Sequence, residues 1–208
     1  MHIAAYILSC PEREDIRRQT VSNLGATDWH DQPIVEVDQT TFERRQQRQE
    51  RTALRLLQRA VADGPERFLF LEDDLQFNLH LRHNLRNWRP LLQLRSGGHF
   101  FGSLYNPNVV ELERHDDQAF FVANPNCVYG SQAFLLSLAT GRYILTHWEE
   151  VPGMQDIKMS RLAARVCLIY YHTPSLVQHI GYQSAWGGPY HSTPDFSADW
   201  QAGDHVPD

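Results

Sequence analysis

The chain has 208 residues, of which 42% are hydrophobic and 21% charged, with 12 glycines and 11 prolines, a composition that excludes disordered and collagen-like classes and leaves room for one ordinary buried core. Its 19 Lys and Arg against 25 Asp and Glu give a formal charge of -6, which excludes a general affinity for nucleic-acid backbones. Cys10, Cys127 and Cys167 form no CxxC pair and leave an odd thiol, the usage of a reducing compartment.

Residues 3–8 (IAAYIL) predict a first strand; they lack the positive flank of a signal peptide, and no apolar run approaches the roughly 20 residues of a membrane span. The expectation is a cytoplasmic protein without a transmembrane segment. Ser9 and Glu12 have the spacing of a capping box for a helix reaching Leu24, so a strand would run into a helix N-terminus, a junction suited to phosphate. A short strand is predicted over 34–37, then a helix capped by Thr41 with apolar positions Phe42, Ala53, Leu57 and Val61, stopped at Asp63-Gly64-Pro65. Along that helix Arg44, Arg48, Arg51, Arg55 and Arg59 recur on one stripe, most of it expected in solvent.

Residues 67–71 (RFLFL) form a continuous apolar run of strand length, the pattern of a strand covered on both faces. Next, Asn78 is placed to cap a helix carrying Leu81, Leu85, Trp88 and Leu92, ended by Ser96-Gly97-Gly98, and strands are predicted over 99–105, 120–123 and 127–129. Ser131 precedes a stretch read as helical to Thr146, and Met159, Leu162, Ala163 and Val166 mark one face of a further helix. From His172 onward the order dissolves into an irregular segment rich in Gly, Pro, Trp, His and Asp, as if draped over a site. The alternation of elements predicts a layered α/β domain.

The sharpest chemical feature is Glu72-Asp73-Asp74 at the end of the apolar strand, where open α/β sheets place their ligand crevice. Three adjacent carboxylates repel one another unless a cation or hydrogen bonds compensate, and hard oxygen donors suit Mg²⁺ or Mn²⁺ with a diphosphate completing the shell; the plain alternative is a solvated strand end or a helix cap. A further ligand would come from elsewhere, and His179, set between apolar residues in PSLVQHIG (174–181), is the candidate against the alternative of a neutral core histidine. Gly181 would permit a tight backbone approach beside it. Asp156, expected at a helix start where the dipole favours its ionised form, reads equally as a carboxylate base or a helix cap, with Glu149 and Glu150 as rivals. Arg13 and Arg17 beside the first strand could fork a diphosphate, and Tyr182, Trp186, Tyr190 and Trp200 could stack on a sugar or a base or simply pack. P-loop, GxGxxG, GxSxG and zinc CxxC patterns are absent.

Taken in order, the strand ending in LEDD (71–74), the GSQAFLL stretch (130–136), Asp156 and PSLVQHIG together resemble a GT-A-type glycosyltransferase. The PSLxQHxG segment is similar to one found in N-acetylglucosaminyltransferases of the branching type and in several bacterial sugar transferases. The resemblance covers roughly residues 1–185 in element order and implies a single GT-A (Rossmann-like) domain with a mixed, mostly parallel sheet flanked by helices. Residues of about 1–105 would form the nucleotide-sugar and metal half, about 106–185 the acceptor and catalytic half, and 186–208 an irregular tail. It further implies Asp74 as the direct metal ligand with His179 completing the shell, and Glu72 and Asp73 on the ribose or the metal's waters; Ser9, Arg13 and Arg17, beside the first strand, are the candidates for contact with the donor. Asp156 would be the base of an inverting transfer of a hexosyl or N-acetylhexosaminyl group. The partners would be Mn²⁺ or Mg²⁺, a nucleotide sugar such as a UDP-sugar, and a glycan or other hydroxyl acceptor. A sugar nucleotidyltransferase and a non-catalytic nucleotide- and metal-binding module are the alternatives.

Overall fold

Side chains alternate in β1 (Ile3–Ser9) so that Ile3, Ala5 and Ile7 enter one apolar layer while Tyr6 and Leu8 enter the other. The same division runs through β3 (Arg67–Leu71), with Leu69 and Leu71 on the first face and Phe68 and Phe70 on the second. Both strands are therefore covered on both sides, as their near-continuous apolar sequence requires. The structure, a computed structural model, describes residues 2–39, 44–107, 119–128, 130–182 and 190–203.

The remaining elements in chain order are α1 (Glu14–Gly25), β2 (Ile34–Val37), α2 (Arg45–Asp63), β4 (Leu75–Phe77), α3 (Leu81–Arg86), α4 (Arg89–Leu92), β5 (Phe101–Ser103), β6 (Phe120–Ala123), β7 (Ala133–Ser137), α5 (Leu138–Thr146), α6 (Gln155–Ala163), β8 (Ile169–His172) and β9 (Val177–His179). Seven strands form one sheet in the order β2-β1-β3-β7-β5-β8-β6. Pairing is parallel for β1 with β2, β1 with β3 and β5 with β8, and antiparallel where β7 and β6 enter, so five of the seven strands share one direction. Residues of α2, α5 and α6 pack on one face, and residues of α1, α3 and α4 on the other, giving the α/β architecture expected from the alternation of elements. Among the described residues no helix is long and apolar enough to cross a membrane.

Several local expectations are corrected. Ser9 does not cap a helix: its hydroxyl turns across the sheet to Asp73, and a 3-10 turn over Pro11–Arg13 precedes α1 with no side-chain cap. Thr41 and Phe42 lie outside the described residues; α2 ends as expected, at Gly64 with φ 70°. Asn78 accepts from the His80 amide just before α3, but the predicted helix is split into α3 and α4, with Pro90 opening the second. The strand expected over 99–105 shrinks to β5, and of the strand expected over 127–129, Cys127 ends a 3-10 turn (Pro125–Cys127), Val128 lies in no element and Tyr129 is outside the described residues.

The largest departure is residues 133–137. Read as the start of a helix, they are β7, the central strand, paired antiparallel with both β3 and β5 and buried throughout; the helix begins only after Ser137, which caps it by accepting from the Thr140 amide. A fully buried apolar run has no period by which strand and helix can be told apart. Val166 falls beyond α6. Past His172, order persists: β9 pairs antiparallel with β4, placing His179 opposite Leu75, the residue that follows Asp74.

Candidate functional site

The parallel strands β1 and β3 run side by side, with Ile7 opposite Leu71, so Ser9 and the Glu72-Asp73-Asp74 trio emerge at the same, carboxyl edge of the sheet. The Ser9 hydroxyl donates to Asp73 Oδ2 at 2.6 Å, and Arg17 Nη1 donates to Ser9 Oγ at 3.0 Å and to the Cys10 carbonyl at 3.3 Å. Arg13 lies between the two aspartates, its Nε 2.8 Å from Asp73 Oδ1 and its Nη2 on Asp74 Oδ2. Thr20 holds the turn from below, donating to the Asp73 carbonyl at 2.7 Å and accepting from the Leu75 amide at 2.8 Å. That the buried aspartates need a counter-charge follows from desolvation alone, and Arg13 supplies it.

The second half of the site arrives on β9. Its pairing with β4 brings the Ile180 amide to the Asp74 carbonyl at 2.9 Å and His179 Nε2 to Asp74 Oδ2 at 2.8 Å. His179 Nδ1 donates to the His191 carbonyl at 2.9 Å, which orients the ring with Nε2 toward the carboxylate. A Cβ on Gly181 would collide with Asp74 Oδ2 and stand 3.1 Å from Arg13 Nη2, so the glycine after His179 is a steric requirement of this crossing.

Charge in this cluster is set by burial and pairing. Burial opposes ionisation of Asp74, but His179 and Arg13 outweigh it and hold its carboxyl below the ordinary range. Burial likewise opposes the charge on His179, and the hydrogen bond and negative charge of Asp74 reverse that, raising its pKa. Asp73 is pushed up to about 6, by burial first, against the pull of Arg13 and Ser9. Glu72 is raised to about 7 by burial and then by the negative charge of Asp74. Its Oε1 accepts from the Ser131 hydroxyl at 2.5 Å and from Gln155 Nε2 at 3.2 Å, and Gln155 also donates to Ser131 at 2.5 Å.

Asp156 sits in the first turn of α6 beside Gln155. Its Oδ2 accepts from the Gly130 amide at 3.1 Å and its Oδ1 from the Ile157 amide at 2.9 Å, two backbone bonds that fix the carboxylate's orientation. Of its rivals, Glu149 is exposed and Glu150 is held by His147 and Arg165. Of the arginine stripe, Arg44, Arg51 and Arg59 are exposed as expected, while Arg48 pairs with the buried Asp38 at 2.5 Å and with Glu12, and Arg55 with Glu36 at 3.0 Å, which ties α2 to β2.

Among the described residues no three His, Cys, Asp or Glu side chains converge as a ready metal cage. What converges is a pair of donors. Asp74 Oδ1 is buried without a hydrogen-bond partner, and His179 Nε2 faces the other oxygen of the same carboxylate. A carboxylate and an imidazole held by a carbonyl suit a divalent cation whose remaining positions are filled by phosphate and water.

Sequence reasoning missed Ser131, Gln155, Thr20, Tyr105 and His191. Gln155 and Ser131 adjoin residues it did name, Asp156 and Gly130, while the other three carried no local signal. Trp186 lies outside the described residues.

No family model and no curated protein matches the chain. Among solved structures it is similar to a glycosyltransferase involved in the glycosylation of the major capsid of PBCV-1, at 12% identity and a TM-score of 0.49, over 88% of this chain and 95% of that one. It is also similar to a mannose-1-phosphate geranyltransferase from Thermus thermophilus, at 9% identity and a TM-score of 0.42, over 83% of this chain and 74% of that one. At likenesses of this size the chemistry of the site rests on its own geometry.

Proposed function

We propose that the chain is a metal-dependent glycosyltransferase of GT-A type, moving a sugar from a nucleotide sugar to an acceptor hydroxyl with inversion. The observation that carries this reading is the meeting of Asp74 and His179, 105 residues apart, around a carboxylate whose second oxygen is buried and unpartnered. Asp74 and His179 would hold Mn²⁺ or Mg²⁺, which when bound stabilises the negative charge of a departing diphosphate. Arg13 and Arg17 stand beside Ser9 at the carboxyl edge of β1, where guanidinium forks fit phosphate oxygens. Glu72 and Asp73 emerge at the same edge and would face the ribose of the donor or the metal's waters. Asp156, oriented by two amides, would accept the proton of the attacking hydroxyl.

The test is a thermal-shift panel of UDP, GDP, CDP, ADP and dTDP, each with and without Mn²⁺. One nucleoside diphosphate together with the metal should raise Tm by roughly 5–10 °C near saturation, more than either alone, and Asp74→Asn should abolish the joint effect. Asp156→Asn should keep that shift while sugar-nucleotide turnover falls at least ~100-fold. A flat panel would remove the donor assignment; undiminished turnover in Asp156→Asn would remove the base.

A further inference from the structure

A chain of four stacked rings leaves the charged cluster at His179 and ends in solvent. His191 stacks on His179 with centroids 5.1 Å apart, His179 on Tyr190 at 5.6 Å, and Tyr190 on Tyr182 at 5.8 Å, with interplanar angles of 26°, 25° and 20°. Exposure climbs along it: His179 is 5% exposed, Tyr190 52% and Tyr182 86%. The inner end is anchored, because the hydroxyl of the fully buried Tyr105 lies 2.7 Å from His191 Nδ1 while the His191 carbonyl accepts from His179. Large aromatic faces in water cost free energy unless a ligand covers them, and two tyrosines stacked outward from a polar site are an exposed aromatic ledge with polar tips.

The chemistry of the ledge selects its occupant. Arg17 and Ser9, suited to the donor's phosphates, join the cluster at Asp73, whereas the ring chain joins it at His179. The inner end of the chain lies toward Asp156: the Gly130 amide donates to that carboxylate, and a Cβ on Gly130 would stand 3.6 Å from His191 Cε1. The ring chain thus joins the cluster through His179, and His191 is its end nearest the proposed base. The ledge residues Tyr182 and Tyr190 carry no formal charge, which fits a neutral ring with an apolar C–H face and hydroxyl edges. We infer that Tyr182 and Tyr190 form a stacking platform for a pyranose ring of a saccharide acceptor, with His191 and Tyr105 as positioning residues. This rests on the glycosyltransferase reading for the word acceptor, though not for the sugar contact itself.

The test is saturation-transfer NMR on the full chain with cellobiose, lactose, mannobiose and chitobiose at millimolar concentration, run beside the nucleoside diphosphate shift. At least one disaccharide should receive saturation on its ring C–H protons. Its affinity should fall roughly tenfold in Tyr182→Ala and return in Tyr182→Phe, the loss of one stacking contact. The nucleotide-dependent Tm shift should persist in Tyr182→Ala. Absence of disaccharide binding, or equal binding in Tyr182→Ala, overturns the platform, and loss of the nucleotide shift in that variant assigns the ledge to the base of the donor instead. Disaccharide binding that depends on Tyr182 in a chain showing no nucleotide shift keeps the platform and removes the transferase reading.

Discussion

Arg13 is a structural requirement of the acidic cluster. It bridges Asp73 and Asp74, whose side chains are 7% and 3% exposed, so removing it strands two carboxylates in a poorly solvated place. Arg13→Gln should lower unfolding stability by about 3 kcal/mol in urea titrations at pH 7, the cost of breaking a buried ion pair; a variant as stable as the parent would show that water reaches these carboxylates. His172 poses the opposite problem, a buried imidazole pressed by Trp88 and Trp200, with Nδ1 on the Pro174 carbonyl at 2.7 Å and Nε2 without a partner. Burial drives its pKa down to about 4 from an ordinary 6.5, against the smaller upward pulls of Pro174 and Asp195. Between those values the unfolded chain binds a proton that the folded chain refuses, so stability falls as the pH falls. His172→Gln should therefore be the less stable protein at pH 7, with its deficit narrowing by about 3 kcal/mol on going to pH 4. A constant deficit in urea titrations at both pH values would show that this imidazole does not titrate with unfolding. Glu72, Asp73, Asp74 and His179 could be named from sequence because acidic runs after an apolar strand and a histidine before glycine are local patterns. Tyr105 and His191 could not, since each matters only through contacts with residues distant in sequence.

At the scale of elements, the centre of the sheet depends on a very close approach. A Cβ on Gly102 of β5 would stand 2.5 Å and 2.7 Å from Trp88 Cη2 and Cζ3, in a layer where Trp88 is itself pinned by its indole donating to the Ala119 carbonyl at 3.0 Å. Gly102→Ala should cost about 2 kcal/mol of stability through displacement of that ring; thermal and urea unfolding measure it, and an unchanged midpoint would mean the ring can yield. Other strands of the sheet show which elements a sequence pattern resolves. β1 and β3 were legible because short apolar runs bounded by turn residues and charge fit strands covered on both faces. β7 was not, because AFLLS runs on without a break into the helical sequence of α5, and only pairing with β3 and β5 decides its conformation. β9 was hidden for another reason: three residues have almost no strand signal until β4 lies beside them.

The whole molecule is closed by residues 190–203, whose order comes from side chains far upstream. Asn78 Nδ2 donates to the Ser197 carbonyl at 2.7 Å and the Trp200 carbonyl at 2.8 Å, Asn84 accepts from the Ala202 amide at 2.8 Å, and the Leu79 amide donates to the Ala198 carbonyl at 2.8 Å. Because this segment also carries His191 to His179, its docking completes the candidate site. Asn78→Ala should cost about 2 kcal/mol and expose the segment, so limited proteolysis within 190–203 should accelerate while the sheet remains protected; cleavage at the parent's rate would show the staple to be redundant. From composition, apolar runs and turn residues, the amino-acid order determined an α/β domain with an acidic strand end, since those signals act within a few residues of one another. Tertiary structure alone decided that β9 lies against β4, and hence that His179 meets Asp74, because strand register across 105 residues is set by which buried surfaces fit and no local interaction encodes it.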